Sequence, residues 1–422
     1  MILLEKRGVN QTRSREPGSQ TLFLILVCSE FLASESNRRR MHKLQLSFAL
    51  FTYTGYWKPT EWPTNSIKHW LYNVYSAFMI LQLYLFTFCS FVDSAVSKDL
   101  KTMSDKFCLF ISVLGVCVKV ANLFVQRGKI ISVVDVLLKK NCVPRNEQEI
   151  RIQRKFDNYA RLYVILNELS AWFATVPHIK TFVRTRTLPV SNWVPYSLSS
   201  GSLFMMSLIH QSLCLMVCAN TSVAHETLIA GLLMQVGAQF EIFCHRARDL
   251  PFLLMEAEKN STSAEDLKNR RRKILKDMIQ FADSINSVFQ YMIFLQFCIS
   301  STVLCLSVFK ISSENPLTLD FAWSCCYLGA MLMQVYLYCW FGNEVTLKSK
   351  SVGDAIYDMD WTTLPVSVLK DLLIIMARSK KPIIMTSGHV VTLSTDSFVK
   401  VSIQIMKISY SSFNILKDTS SN

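Results

Sequence analysis

The stretch that decides the fold is FAWSCCYLGAMLMQVYLYCWF, residues 321–341, which contains no charged side chain. About 20 residues of α-helix cross the roughly 30 Å hydrocarbon core of a bilayer, so this stretch predicts a transmembrane helix. Six further stretches meet the same length criterion, the last being the least apolar: about 70–92, 107–125, 160–182, 198–222, 288–311 and 398–416. The sequence therefore predicts an all-α polytopic membrane protein with seven transmembrane helices.

The composition agrees with a membrane protein. The chain has 422 residues, of which 50% are hydrophobic and 18% charged, with a mean hydropathy of +0.26. The net charge of +14 does not indicate a nucleic-acid partner, because the basic residues lie between the apolar runs, where they orient helices. Most of the 13 cysteines lie inside those runs without zinc-binding spacing, so we expect small buried apolar side chains.

The distribution of basic residues predicts the orientation. Alternate connecting segments (1–69, 126–158, 240–280 and 346–385) hold 33 Lys and Arg residues, whereas the other segments hold 8. Because positive loops stay in the cytoplasm, we expect a cytoplasmic N-terminus and an extracellular C-terminus. Lys119 and Arg161 lie near the cytoplasmic ends of their spans, where their side chains can reach water.

The segments outside the spans divide the chain into two parts. Residues 1–40 form an atypical extension with a weak resemblance to a signal peptide, and residues 41–422 form a single seven-helix domain. Apolar residues recur at helical spacing in 240–285, which with 346–378 predicts cytoplasmic helical extensions of the spans. Pro382 ends the preceding cytoplasmic helix, and residues 386–389 interrupt the chain before the last span.

No catalytic pattern is present in the sequence. It lacks HExxH, GxSxG, Walker A and GxGxxG motifs, and its seven histidines show no metal-ligand spacing. We therefore expect a protein that is not an enzyme and needs no cofactor or metal. Asn167 and Glu168, beside Trp172 and Phe173, are polar residues within a span. They either form a hydrogen-bonded pair that joins helices or supply a polar contact in a ligand cavity.

Aromatic and methionine side chains fall in the outer halves of the second, third, fourth and sixth spans. A cavity of this composition suits a small, volatile, apolar molecule, although each residue alone is also explained by helix packing. With Glu168 as the polar member, the candidate ligand-binding residues are Phe107, Phe110, Trp172, Phe173, Phe204, Met205, Trp323, Tyr327 and Met331.

Residues 338–365, YCWFGNEVTLKSKSVGDAIYDMDWTTLP, resemble the end of the sixth span and the following segment of insect odorant receptors. The residues that match the family pattern are Tyr338, Cys339, Gly342, Glu344, Ser351, Ala355, Tyr357 and Trp361. The last helix continues the match with Lys407, Ser409, Tyr410 and Ser411, and an early GYWKP adds Gly55, Trp57 and Pro59. The resemblance covers most of 41–416.

The resemblance implies an odorant-gated cation channel subunit in the plasma membrane of olfactory sensory neuron dendrites. It implies a heterotetramer with the odorant receptor co-receptor, in which the four seventh helices line a pore and residues of 338–361 contact other subunits. Phe398, Val401 and Ile405 form an apolar stripe that would make the constriction, with Ser409 also lining the pore. Phe398 and Tyr410 are twelve residues apart where the family has about eight, a difference of one helical turn near 402–405.

Other receptor classes fit the sequence less well. A gustatory-type channel of the same superfamily would end its last helix with Thr-Tyr, five residues and Gln-Phe, which this chain lacks. A G-protein-coupled receptor would need an extracellular N-terminus, the reverse of the charge distribution, and its usual Asp-Arg-Tyr and Asn-Pro-x-x-Tyr motifs do not occur. A transporter is the remaining alternative.

Overall fold

Helices make up almost all of the described structure. The computed structural model describes residues 44–59, 66–97, 100–138, 142–185, 200–252, 264–313, 319–360, 366–388 and 390–420, with single positions 188, 193, 194, 196 and 364. In these residues the helices are α1 (Gln45–Tyr53), α2 (Ile67–Val96), α3 (Leu100–Val125), α4 (Arg127–Leu137), α5 (Glu147–Thr185), α6 (Gly201–Arg248), α7 (Ala264–Ser313), α8 (Leu319–Tyr357), α9 (Val366–Ser379) and α10 (Thr395–Ser420). Strands β1 (Thr386–Ser387) and β2 (Val391–Thr392) form one hairpin. The predicted extension 1–40 lies outside the described residues.

Seven helices cover the seven predicted spans. They are α2, α3, α5, α6, α7, α8 and α10, each of which has at least 26 residues. Five described segments are long and apolar enough to cross a membrane: Ile67–Val96, Lys106–Val125, Gly201–Arg248, Asn286–Val308 and Ser324–Tyr357. The all-α polytopic fold is therefore confirmed, while the described residues of α5 and α10 contain no segment that is apolar enough to meet this criterion. The orientation of the termini stays a prediction.

The polar helix α5 has one apolar face despite its composition. Leu162, Ile165 and Leu169 are about half exposed at spacings of three and four residues, as expected for a lipid-facing stripe. Ala160 and Val164 lie on the opposite face and are buried. The helix therefore presents apolar side chains both outward and inward, and its polar residues lie between them and towards its N-terminal end.

Helix α6 is the centre of the bundle. It packs against α1, α2, α3, α5, α7 and α8, and almost every side chain from Val223 to Phe240 is buried. Its 48 residues extend about 72 Å, more than twice the thickness of the hydrocarbon core. The helix therefore continues well beyond the membrane. Within the segment 240–285, α6 reaches Arg248 and α7 begins at Ala264.

The interruption predicted at 386–389 falls on the β-hairpin, with residue 389 outside the described residues. Thr386 pairs with Thr392 and Ser387 with Val391, and Gly388 adopts a left-handed conformation with φ of 57°. Glycine adopts this conformation at no steric cost, which explains its place in the turn. Helix α9 ends at Ser379, so Pro382 follows the helix and does not interrupt it.

Candidate functional site

The N-terminal parts of α3 and α8 bring part of the predicted ligand-binding set together. The hydroxyl oxygens of Tyr327 on α8 and Ser112 on α3 are 3.4 Å apart. The rings of Phe107 and Phe110 are 6.2 Å apart between centroids, and Phe110 also lies 5.4 Å from Phe91 of α2. This part of the site is therefore aromatic, with a pair of hydroxyl groups between two helices.

The fourth span contributes to different surroundings. Phe204 on α6 belongs to a small buried cluster with Leu188 and Leu208. The neighbouring Met205 is 43% exposed, so its side chain lies on the outer surface of this chain. Only one of these two predicted ligand-binding residues is therefore buried.

Three more members of the predicted set lie on α5 and α8. Met331 is half-buried and follows Tyr327 by one helical turn on α8. The side chains of Phe173 and Trp323 lie outside the described residues. The site residues predicted from the sequence thus stay predictions. The described contacts pair Phe107 with Phe110, and Tyr327 with Ser112, which sequence reasoning missed.

The two polar residues of the third span behave differently. Asn167 donates from Nδ2 to the carbonyl oxygen of Tyr163 at 2.8 Å, a bond within α5. The Trp172 side chain hydrogen-bonds to the Glu168 carboxylate. The other Glu168 oxygen, Oε1, is buried and has no hydrogen-bond partner among the described residues. This bond of Asn167 does not join helices, and Glu168 keeps an acceptor for a further donor.

The Tyr-Cys and Gly positions of the family-like motif are tightly packed. Tyr338 and Cys339 are 2% and 0% exposed. A Cβ atom added to Gly342 would lie 2.4 Å from Cβ of Leu393, which follows the hairpin. Glycine at this position therefore lets the chain before α10 approach α8 closely. The Tyr338, Cys339 and Gly342 positions of the motif therefore belong to the close packing of α8 against its neighbours.

The remaining motif residues lie further along the chain. Ser351 on α8 contacts Cys244 of α6, with 3.7 Å between the hydroxyl oxygen and the sulfur. Glu344 is half-buried, and Tyr357 is 70% exposed at the end of α8. Trp361 lies outside the described residues. The exposed Tyr357 is thus available to another chain.

The hairpin is anchored to α7 by its backbone. Asn286 donates from Nδ2 to Oγ1 of Thr386 at 3.1 Å and accepts from the Thr386 amide at 2.9 Å. The Gly388 amide donates to the carbonyl oxygen of Gln290 at 3.0 Å. A Cβ at Gly388 would lie 2.7 Å from the Phe294 ring. The hairpin therefore contacts α7, and Leu393, which follows it, contacts α8 immediately before α10 begins.

Helix α10 has one face against its own chain and one exposed face. The ring of Phe398 packs edge-on against Tyr336 of α8, with centroids 5.3 Å apart. Ile405 is buried and Val401 half-buried, while the side chain of Ser409 lies outside the described residues. The exposed residues in the described part of α10 are Asp396, Val399, Lys400, Ile403, Gln404, Met406, Lys407 and Ser411. The stripe predicted to make the constriction thus faces inward in the single chain.

A buried ion pair joins α3 to α6. Lys119 donates to Oε1 of Glu226 at 3.0 Å and to the Ser222 hydroxyl at 2.8 Å, and that hydroxyl donates to the same Glu226 oxygen at 2.8 Å. The expectation that Lys119 reaches water is therefore wrong, since the residue is 5% exposed. Ser222 and Glu226 are one helical turn apart, but their partner on α3 could not be identified from the sequence.

A second buried pair lies beyond the membrane segments. Arg246 of α6 donates from Nε and Nη2 to the two carboxylate oxygens of Glu149 at 2.8 and 2.6 Å. Burial alone would raise the pKa of Glu149, but the hydrogen bonds from Arg246 and the Arg145 amide outweigh it and lower the pKa. The pair therefore fixes the start of α5 to the end of α6.

Sequence comparison identifies relatives along most of the chain. A family profile described as 7tm Odorant receptor matches residues 99–410. Odorant receptor Or1 of Anopheles gambiae is 22% identical over 415 residues, which cover 90% of this chain and 96% of that protein. Odorant receptor Or2 of the same species is 30% identical over 145 residues, which cover 34% of this chain and only 37% of Or2.

The fold is similar to that of a solved receptor. The insect olfactory receptor OR5 from Machilis hrabei superimposes with a TM-score of 0.75 at 12% identity, over 88% of this chain and 97% of that one. Its structure in complex with eugenol gives the same TM-score over 90% and 99% of the two chains. With the family profile matching more than half of its length, the chain belongs to the insect odorant receptor family and is a multi-pass membrane receptor that serves olfaction.

Proposed function

We propose that this chain is the odorant-binding subunit of a heteromeric, odorant-gated, non-selective cation channel. Its partners would be the odorant receptor co-receptor in a heterotetramer, a small volatile odorant and the lipid bilayer of the olfactory neuron's plasma membrane. The observation that carries the proposal is the fold shared with an olfactory receptor solved in complex with eugenol. No catalytic step is part of this proposal.

The ligand cavity would lie beside the contact between Ser112 of α3 and Tyr327 of α8, and residues of α5 would contribute to it. Phe110 supplies apolar surface, and Phe107, which is 43% exposed, extends this surface towards the outside of the chain. The Ser112 and Tyr327 hydroxyls supply a polar contact. Glu168 adds an acceptor with one unpaired oxygen. Affinity for a volatile molecule would come mainly from apolar burial, with these few groups setting its orientation.

Helix α8 and the hairpin would carry the signal to the pore. This helix carries Tyr327 near the proposed cavity and Gly342 in contact with Leu393. It therefore connects the cavity to the chain before α10 as one continuous element. An odorant that prefers one arrangement of α8 would shift the population towards that arrangement. Because the hairpin also contacts α7, movement of either helix would reposition the start of α10.

Helix α10 would line the pore, with one of its two faces towards the central axis. Phe398, Val401 and Ile405 form the stripe proposed from the sequence, but they pack towards their own chain. The opposite face carries Ile403 and Gln404 and is uncovered. Because only an uncovered face can meet three other chains without repacking, we favour that face for the constriction and keep the stripe as the alternative.

The cytoplasmic ends of α8 and α9 would supply contacts between subunits. Tyr357 is 70% exposed, and Leu373 and Ile374 of α9 are 62% and 59% exposed. Exposed apolar side chains in a segment outside the membrane indicate a partner surface. In the proposed channel this surface would meet the co-receptor.

Recording from cells that express the full chain with the co-receptor tests the function. We expect an inward cation current during application of a panel of aliphatic alcohols, esters and phenols that includes eugenol. Absence of current with verified surface expression would contradict the proposal. A response without the co-receptor would instead favour a gustatory-type channel.

Two cavity variants test the placement of the ligand. Trp172→Ala and Tyr327→Ala should change the order of active odorants while surface expression stays near that of the wild type. If both proteins fail to reach the membrane, the two residues serve packing. Met206→Ala, which changes a 67% exposed side chain on α6 outside the predicted ligand-binding set, is the matched control and should leave the odorant profile unchanged.

A further inference from the structure

The ion pair of Lys119 and Glu226 forms, with Ser222 and Tyr338, a set of polar groups inside the bundle that we call the polar junction. The Lys119 and Glu226 side chains are 6% and 9% exposed, and Tyr338 is 2% exposed. The Glu226 carboxylate lies close enough to Tyr338 of α8 for its charge to act on the tyrosine hydroxyl. Helices α3, α6 and α8 therefore bring charged and polar groups together inside the bundle.

Tyr338 differs from the other residues of the polar junction in the hydrogen bonding of its hydroxyl group. This group is buried and has no hydrogen-bond partner among the described residues. A buried tyrosine hydroxyl normally finds a partner, and leaving it unpaired is unfavourable. Phenylalanine would fill the same space without this cost. The hydroxyl is therefore explained better by a second conformation in which it is paired.

A residue next to Glu226 on α6 also has buried polar atoms for which the described residues supply no hydrogen-bond partner. Both ring nitrogens of His225 are buried without a partner in the described part of the chain, while its ring packs edge-on against Phe289 of α7. Buried polar groups in folded proteins are almost always paired. Among the described residues, α6 and α8 thus both carry buried polar groups without a hydrogen-bond partner near the ion pair.

The polar junction lies where α8 meets the hairpin. The residue after Tyr338 is Cys339, whose thiol contacts the backbone of Ser394. One turn further along α8, Gly342 allows the closest approach of Leu393. A rotation of α8 that moves the Tyr338 hydroxyl would therefore also move the chain that leads directly into α10.

We infer that Tyr338 is a positioning residue for gating, whose hydroxyl donates to the Glu226 carboxylate in the conducting conformation and is unpaired in the closed one. In this inference the described packing, with Leu393 directly against Gly342, is the closed arrangement. The hydrogen bond then stabilises the conformation that the odorant selects. This inference rests on the proposed odorant-gated channel.

Removal of the hydroxyl should disfavour opening for two reasons. Tyr338→Phe relieves the unpaired group in the closed conformation and deletes the hydrogen bond in the open one. We expect the half-maximal concentration of the strongest panel agonist to rise by about tenfold, or the maximal current to fall correspondingly. The amount of protein at the surface should stay at the wild-type level, which separates gating from folding.

A double variant that replaces both Lys119 and Glu226 tests whether Glu226 is the hydrogen-bond partner of Tyr338. Changing only Glu226 would leave Lys119 buried and unpaired, and that protein could fail to fold. Lys119→Met with Glu226→Met removes both charges and the acceptor, a change that buried ion pairs often tolerate. In this background, Tyr338→Phe should shift the concentration-response curve by less than about twofold.

The control changes a second tyrosine near the same carboxylate. Tyr163 of α5 is also within the electrostatic reach of Glu226, but its hydroxyl is not among the buried unpaired groups. Tyr163→Phe should leave the curve within about twofold of the wild type. The inference is overturned if Tyr338→Phe leaves the response unchanged, or shifts it equally with and without the ion pair. A wild-type chain that gives no current would overturn the proposed function itself.

Discussion

Glycine 342 shows how one residue sets the approach of two elements. Its missing Cβ would lie 2.4 Å from the Leu393 Cβ and 3.0 Å from the Leu393 carbonyl oxygen. Gly342→Ala should destabilise the protein by about 1–3 kcal/mol, because overpacking forces the backbone apart. Thermal unfolding in detergent measures this loss. Gly329→Ala, on the same helix with open space around it, should be neutral or stabilising.

Glutamate 149 should make part of the stability depend on pH. Because its folded pKa is lowered, its contribution is complete above the unfolded value of about 4.3 and is lost as the pH falls through the folded pKa. Glu149→Gln leaves Arg246 buried without its charge partner and should cost about 3–5 kcal/mol near neutral pH. Unfolding temperatures measured from neutral to acidic pH should then fall less steeply than in the wild type.

The exposed Glu147 provides the control for this experiment. It lies two residues earlier in the first turn of α5. Glu147→Gln should keep both the stability and the acid sensitivity of the wild type. Equal stability of Glu149→Gln and the wild type at neutral pH would show that the Arg246 pair contributes little.

At the scale of elements, the two faces of α10 can be distinguished by substitution. Gln404→Glu places a charge on the uncovered face, where it should raise cation selectivity if that face lines the pore. Reversal potentials under ion gradients measure the change. The matched variant is Val401→Glu on the inward face, which should reduce surface expression because it buries a charge. A selectivity change for Val401→Glu with normal expression would instead restore the stripe predicted from the sequence.

The sequence determined the elements better than their contacts. Each helix needs only its own apolar run, so 321–341 and 70–92 could be identified locally and lie within α8 and α2. The face of α10 that packs inward could not be identified locally, because both faces of this helix carry apolar residues: Ile405 is buried and Ile403 exposed. Which of two such faces packs inward depends on neighbours from α7 and α8.

At the scale of the whole molecule, orientation is the main open prediction. The excess of Lys and Arg in alternate segments, 33 against 8, predicts a cytoplasmic N-terminus. An epitope tag at the C-terminus should bind antibody on intact cells, whereas an N-terminal tag should bind only after permeabilisation. An N-terminal tag exposed on intact cells would contradict the channel topology and favour a G-protein-coupled receptor. A tag on each end of the same chain controls for expression.

The sequence by itself determined the membrane class, the helical fold, the approximate spans and the family resemblance. These depend on local length, hydropathy and motif spacing. Only the tertiary structure showed that Lys119 pairs with Glu226, that Ser112 meets Tyr327, and that Leu393 packs on Gly342. These partners are separated by about 50 to 215 residues along the chain, and helical periodicity specifies a face without naming what lies against it. Side-chain pairing between helices is decided by their packing in three dimensions.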